Sequence, residues 1–174
     1  MVRIFAPTAT SDNSTWTLVG DTDVHLCVDD PTASSDDATT YVQADFDTAT
    51  FTVDLPSIDP VPCVASGHTI RVRMRNAGGA AIDTGEIVVS LLDSGGLLFS
   101  SAKTEIDNAG YANYSFDLGL ASPLADYSTL RIQVDDAGVP LDKRLRITSV
   151  EFEVPSEVAI SGSSAGSSST SAAL

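Results

Sequence analysis

The chain has 174 residues, enough for one domain with a sizeable core. Its 24 acidic residues outweigh 9 basic ones, leaving a formal net charge of -15. That balance argues against function through phosphate contacts with nucleic acid or through a basic membrane-binding surface, because both require clustered Lys and Arg. At 43% hydrophobic residues the chain is also not a disordered acidic tail. The acidity comes from 19 Asp and 5 Glu against 7 Arg and 2 Lys. Such a bias resembles proteins of salt-loving organisms, with an ordinary acidic surface as the alternative.

Residues 1–13 are expected to form an N-terminal arm. They hold no continuous apolar run of the signal-peptide kind, and no stretch of the chain approaches the length of a membrane span. Strands are expected over 14–19, 24–28 and 39–44. Beyond these the period is two. Phe51, Val53 and Leu55 alternate with polar neighbours, as do Ile70, Val72 and Met74 with Arg71, Arg73 and Arg75. The same rule holds for Ile87, Val89 and Leu91, for Tyr114, Phe116 and Leu118, and for Leu130, Ile132 and Val134. Alternation is what a half-buried strand requires.

A strand is expected over 97–103, and residues 76–85 (NAGGAAIDTG) predict a longer loop. Asp93-Ser94-Gly95-Gly96, Asp107-Asn108-Ala109-Gly110 and Asp135-Asp136-Ala137-Gly138 carry turn chemistry. Ser122 and Pro123 suit the start of a short helical turn over 122–127. In the last run, over 144–154, Leu145 and Ile147 have one parity and Val150, Phe152 and Val154 the other, so a β-bulge is expected near Thr148-Ser149. Nine or ten strands with regular turns predict an all-β fold: an antiparallel two-sheet sandwich over 14–155, jelly-roll-like. Residues 156–174 contain eight Ser and little core material. They are expected to be a second arm, held by a neighbouring subunit through Val158, Ile160 and Leu174.

Candidate chemistry is sparse. His25 and His68 are the only histidines. His25 lies near Cys27, but no orienting third group completes a nucleophile site, so a structural pair is expected. Cys27 and Cys63 are expected as separate thiols, with one bridge as the alternative. The Asp pairs of the first third (Asp21 and Asp23, Asp29-Asp30, Asp36-Asp37, Asp45 and Asp47) offer oxygens for Ca²⁺ or simply solvated loops. No ligand is assigned, no cofactor is expected, and the chain is expected not to be an enzyme. The stripe Arg71, Arg73, Arg75 projects from one strand face. Pairing with carboxylates on adjacent strands, or contact with an acidic partner at an interface, is expected there. Arg144 and Arg146 extend the stripe if the strands are neighbours.

The order Trp16…Asp37-Ala38-Thr39-Thr40-Tyr41-Val42, Thr50-Phe51-Thr52-Val53 and Ile70-Arg71-Val72-Arg73-Met74-Arg75 resembles a recurrent β-sandwich domain of virion structural proteins of tailed viruses. So does the ending Pro123-Leu124-Ala125-Asp126-Tyr127 through Val134, with Arg146 through Val154. The resemblance implies a capsid decoration, turret or fibre component on the virion surface. Its partners would be copies of itself and other virion proteins, with no nucleic acid or membrane; a halophilic host would match the Asp bias. The alternative is a carbohydrate- or receptor-binding sandwich, for which Tyr111, Tyr114 and Tyr127 are the candidate aromatics.

Overall fold

The computed structural model describes residues 2–37, 39–44, 49–77, 85–106, 110–137 and 145–156. These residues form β1 (Val2–Phe5), β2 (Ala9–Ser14), β3 (Trp16–Val19), α1 (Val24–Cys27), β4 (Tyr41–Ala44), β5 (Thr50–Asp54) and β6 (Thr69–Asn76). They continue with β7 (Gly85–Asp93), β8 (Gly96–Ser100), β9 (Thr104–Ile106), β10 (Ala112–Asp117), β11 (Arg131–Asp136) and β12 (Leu145–Pro155). Two antiparallel six-stranded sheets result. The first runs β10-β6-β12-β4-β3, with β1 also on β12; the second runs β2-β5-β11-β7-β8, with β9 also on β7. The fold is the expected β-sandwich.

The alternation seen in the sequence is the alternation of burial. Along β6 the residues Ile70, Val72 and Met74 are buried and the three arginines that alternate with them, Arg71, Arg73 and Arg75, are half-buried. Phe51, Val53, Ile87, Val89, Leu91, Ile132 and Val134 complete the layer from the second sheet. Each such side chain contributes about 1.5–3 kcal/mol by leaving water. The phase change in β12 falls where it is expected. Ile147 pairs with Met74 and Ser149 with Arg73, so Thr148 is the extra residue. The bulge lets Ile147, Val150 and Phe152 all face the core.

Several expectations are corrected. The described part of the expected N-terminal arm, from residue 2, carries strands: β1 pairs with β12, and β2 pairs with β5. Phe5 packs against the core. Most of β2 is exposed and polar, so backbone pairing, not an apolar pattern, holds it. The segment around residue 24 is helical, with Val24, Cys27 and Val28 buried and Leu26 exposed. Val-His-Leu-Cys-Val satisfies both a period of two and an i, i+3, i+4 stripe, so pattern alone does not decide it. The strand expected over 97–103 ends at Ser100, and β9 re-forms on β7 beyond it. No helix occupies 122–127. Tyr127 is instead drawn into the core, 2% exposed, where its hydroxyl lies 2.6 Å from His68 Nε2. Most of the 76–85 loop, the second turn apart from Gly110, and Val158, Ile160 and Leu174 lie outside the described residues.

Candidate functional site

The outer face of the first sheet carries a cluster of arginines. Arg71, Arg73 and Arg75 project from β6, and β12 is the neighbour of β6, so Arg146 joins them. Arg144 lies outside the described residues. Arg71 and Arg73 meet carboxylates. Arg71 pairs with Glu153 on the adjacent strand. Arg73 makes a fork with Asp37, whose Oδ1 accepts from Nε at 2.7 Å and whose Oδ2 accepts from Nη2. Asp37 also accepts from Thr148 Oγ1 at 3.0 Å and Ser35 Oγ at 3.1 Å. The Arg73 hydrogen bonds hold the Asp37 carboxyl below its usual range, against the opposing effect of burial.

Asp37 belongs to a segment that crosses this face. Val28 accepts a backbone bond from Val150 N, and Ser149 Oγ donates to Asp30 O. Buried Glu151 accepts from Thr32 N at 3.2 Å and Thr32 Oγ1 at 2.7 Å. One half of the face is thereby covered.

The other half holds a transverse row in which Gln43 is buried. Arg75 is directly opposite Arg146, Arg146 opposite Gln43, and Gln43 opposite Thr17. The β10–β6 register, continued by one residue from Ala112–Met74, brings Tyr111 beside Arg75. At about 4.8 Å per strand, these five positions span about 19 Å. The Arg75 guanidinium carbon lies 4.8 Å from the Tyr111 ring centroid, and that of Arg146 lies 4.5 Å from the Tyr41 centroid. Arg146 Nε donates to Gln43 Oε1 at 2.7 Å. Burial raises the pKa of the Tyr111 hydroxyl, opposed by the charges of Arg75 and Arg146.

The candidate aromatics therefore separate. Tyr111 is on the face, Tyr114 packs against the core, and Tyr127 is buried. Tyr41 is not singled out by the sequence reading, although its shared parity with Gln43 in a short strand is the signal that marks it. The Cys27 thiol is held protonated by burial, and His25 instead contacts Asp23 and Thr10. Neither cysteine is in a disulfide. The Asp-rich segment uses its carboxylates to shape turns: Asp36 accepts from Thr39 and Thr40, and Asp30 from Asp36 N. Among the described residues no three His, Cys, Asp or Glu side chains converge as a metal site. A hollow of about 430 Å³ beside Asp54 and Arg131 is a weaker candidate. There Arg131 is tied to Asp93 O, and the Ser128 and Thr129 hydroxyls to Asp126.

No protein-family model matches the chain, and no curated protein sequence matches it. Solved structures do share its fold. PfGH50B matches with a TM-score of 0.53 at 11% identity, over 87% of this chain and 23% of that one. A mutant of a carbohydrate binding module of family 29 matches at 0.48 and 14% identity, over 88% and 92% of the two chains. The enzymatically active domain of tailspike protein 4 of bacteriophage CBA120 matches at 0.47 and 12%, over 87% and 19%. The chain thus spans less than a quarter of PfGH50B and of the tailspike protein. At these identities the likeness is one of fold.

Proposed function

We propose that the chain is a carbohydrate-binding β-sandwich module whose ligand face is the outer face of the first sheet. The observation that carries this reading is the row Tyr111, Arg75, Arg146, Gln43 and Thr17, with Tyr41 alongside. A sugar chain offers hydroxyls on its edges and apolar C–H faces. Aromatic rings suit the second, and guanidinium, amide and hydroxyl groups the first. Placing them on five hydrogen-bonded strands keeps their spacing rigid without loop ordering.

The expected result is saturable binding of the full chain to at least one oligosaccharide in a panel of neutral and acidic glycans, measured by calorimetry. Tyr41→Ala and Tyr111→Ala should each weaken that binding by about tenfold with unchanged far-ultraviolet circular dichroism. Absence of binding across the panel would sink the reading.

The virion-decoration reading takes second place. Its supporting observation is the β1 edge, where Val2 and Ile4 are 47% and 49% exposed on the strand that pairs with the end of β12. Residue 156 leaves the sheet beside that edge, so the chain that follows starts next to an apolar strip. On this reading, removing residues 157–174 should convert an oligomer to a monomer in analytical ultracentrifugation; an unchanged mass would count against it.

A further inference from the structure

We infer that His68 and Tyr127 form an acid-sensitive latch: with the imidazole neutral they clamp the segments 58–68 and 124–130 over one end of the sandwich, and its protonation releases them. The inference does not depend on the carbohydrate-binding reading, because His68 precedes β6 and lies about 23 Å along the strand from Arg75. His68 is 1% exposed and Tyr127 2%. The His68 ring stands 5.7 Å from that of Tyr127 and 6.0 Å from that of Phe152, which is itself opposite Phe5 of β1. Backbone bonds tie the same region together: Ile58 N donates to Tyr127 O at 3.2 Å, and Leu118 N donates to His68 O at 3.0 Å.

A carbonyl oxygen only accepts, so the 2.9 Å contact of His68 Nδ1 with Ala65 O puts the ring proton on Nδ1. Nε2 of the neutral ring is then the acceptor, and the Tyr127 hydroxyl, 2.6 Å away, donates to it. Burial raises the Tyr127 pKa, so that hydroxyl keeps its proton. A second ring proton, on Nε2, would meet this donor and place a charge in the core. The charged groups on the elements around the pair are Arg3 of β1, Asp117 of β10, Glu153 of β12, and Asp59 and Asp126 of the two segments. Arg71 holds Glu153, and Ser128 holds Asp126. Burial lowers the His68 pKa, against the Ala65 hydrogen bond and the charge of Asp117. The unfolded chain therefore takes up the proton first, near the ordinary value of 6.5. The stabilisation is complete above that value and is lost progressively between it and the lower, folded pKa. Ordinary carboxylates titrate well below this window, and histidine titrates within it.

The test compares the natural chain with His68→Gln in thermal unfolding between about pH 7.5 and pH 5.5. Below about pH 6.5 the natural chain should lose about 3–5 °C per pH unit more than the variant. Asp29, whose pKa burial raises, is present in both proteins and drops out of the difference. Parallel curves overturn the inference. Imidazole resonances of the natural chain supply a second measurement that holds even if His68→Gln does not fold. The chain has two histidines, and His25→Gln assigns them. His68 should show the Nδ1–H tautomer and titrate below 6.5; titration at or above that value overturns the inference. Release is read by hydrogen exchange in the natural chain, corrected for the intrinsic effect of pH. Between pH 7.5 and 5.5, peptides from 58–68 and 124–130 should lose at least about tenfold in protection while β7 and β11 keep theirs. A uniform loss over the whole chain would show that acid weakens the fold at large and that there is no latch.

Discussion

Replacing Gly20 by Ala is expected to destabilise the protein by about 2–4 kcal/mol, through a backbone clash added to conformational strain. Gly20 has φ of +91°, a region that L side chains rarely adopt. A Cβ there would overlap the Thr39 carbonyl oxygen and come within 2.9 Å of its carbon and 2.8 Å of Thr40 Cγ2. Backbone, unlike a side-chain tip, has no rotamer to retreat into. Gly119 supplies the control. Its φ is +54° but nothing lies within 4 Å of its Cβ direction, so Gly119→Ala isolates the strain, about 1–2 kcal/mol. In thermal unfolding the Gly20 variant should melt about 10 °C below the natural chain, and the Gly119 variant about half as far below. Equal losses in the two would show that the Thr39 contact is not what makes Gly20 necessary.

The Gly20–Thr39 approach also reaches the site. Val19 pairs with Tyr41, so the packing of Gly20 on Thr39 helps set where Tyr41 enters β4 and lies against Arg146. Displacing Thr39 should therefore weaken glycan binding as well as stability, whereas Gly119→Ala should change stability alone.

How far the fold was legible follows from which force holds each element. β6, β7, β11 and β12 are held by apolar side chains facing the second sheet or the first, and a period of two records that directly. The bulge at Thr148 was legible for the same reason: Ile147 and Val150 both had to face inward. Elements held by backbone bonds left no such trace. β2 is an exposed strand that carries Ser11, Asp12 and Asn13 against β5. α1 is too short for its periodicity to differ from a strand's. Tyr127 lies in the core because His68 meets its hydroxyl across 59 positions of sequence, which no local pattern encodes.

The site was half legible. Parity placed Arg71, Arg73 and Arg75 on one face, and adjacency of strands brought Arg146 to them. Which carboxylates Arg73 and Arg71 would meet depended on long-range pairing, Arg73 with Asp37 over 36 positions and Arg71 with Glu153 across the sheet. The Tyr41–Arg146 stack depended on β4 joining β12, a neighbour relation that alternation alone does not specify.

Asp37→Asn should destabilise the protein, and by an amount that depends on pH. In the folded protein the Asp37 carboxylate serves Arg73 through two bonds and Thr148 through a third, with side-chain exposures of 27% for Asp37 and 22% for Arg73. An amide cannot accept the fork as a charged pair, and it leaves Arg73 without its counter-ion. Partial solvent access moderates the loss, which is expected to be about 1–3 kcal/mol. The sign with pH follows from the lowered pKa of Asp37. The unfolded chain takes up the proton first, near the ordinary value of 3.8, while the folded state resists until lower pH. The stabilisation is complete above that value and is lost as pH falls through the folded pKa. Because Asp23 and Asp36 are also lowered and remain in both proteins, the informative quantity is the difference between the two unfolding curves. That difference should be constant above about pH 5 and shrink below about pH 4. A difference that persists unchanged at low pH would mean that shape rather than charge makes Asp37 stabilising.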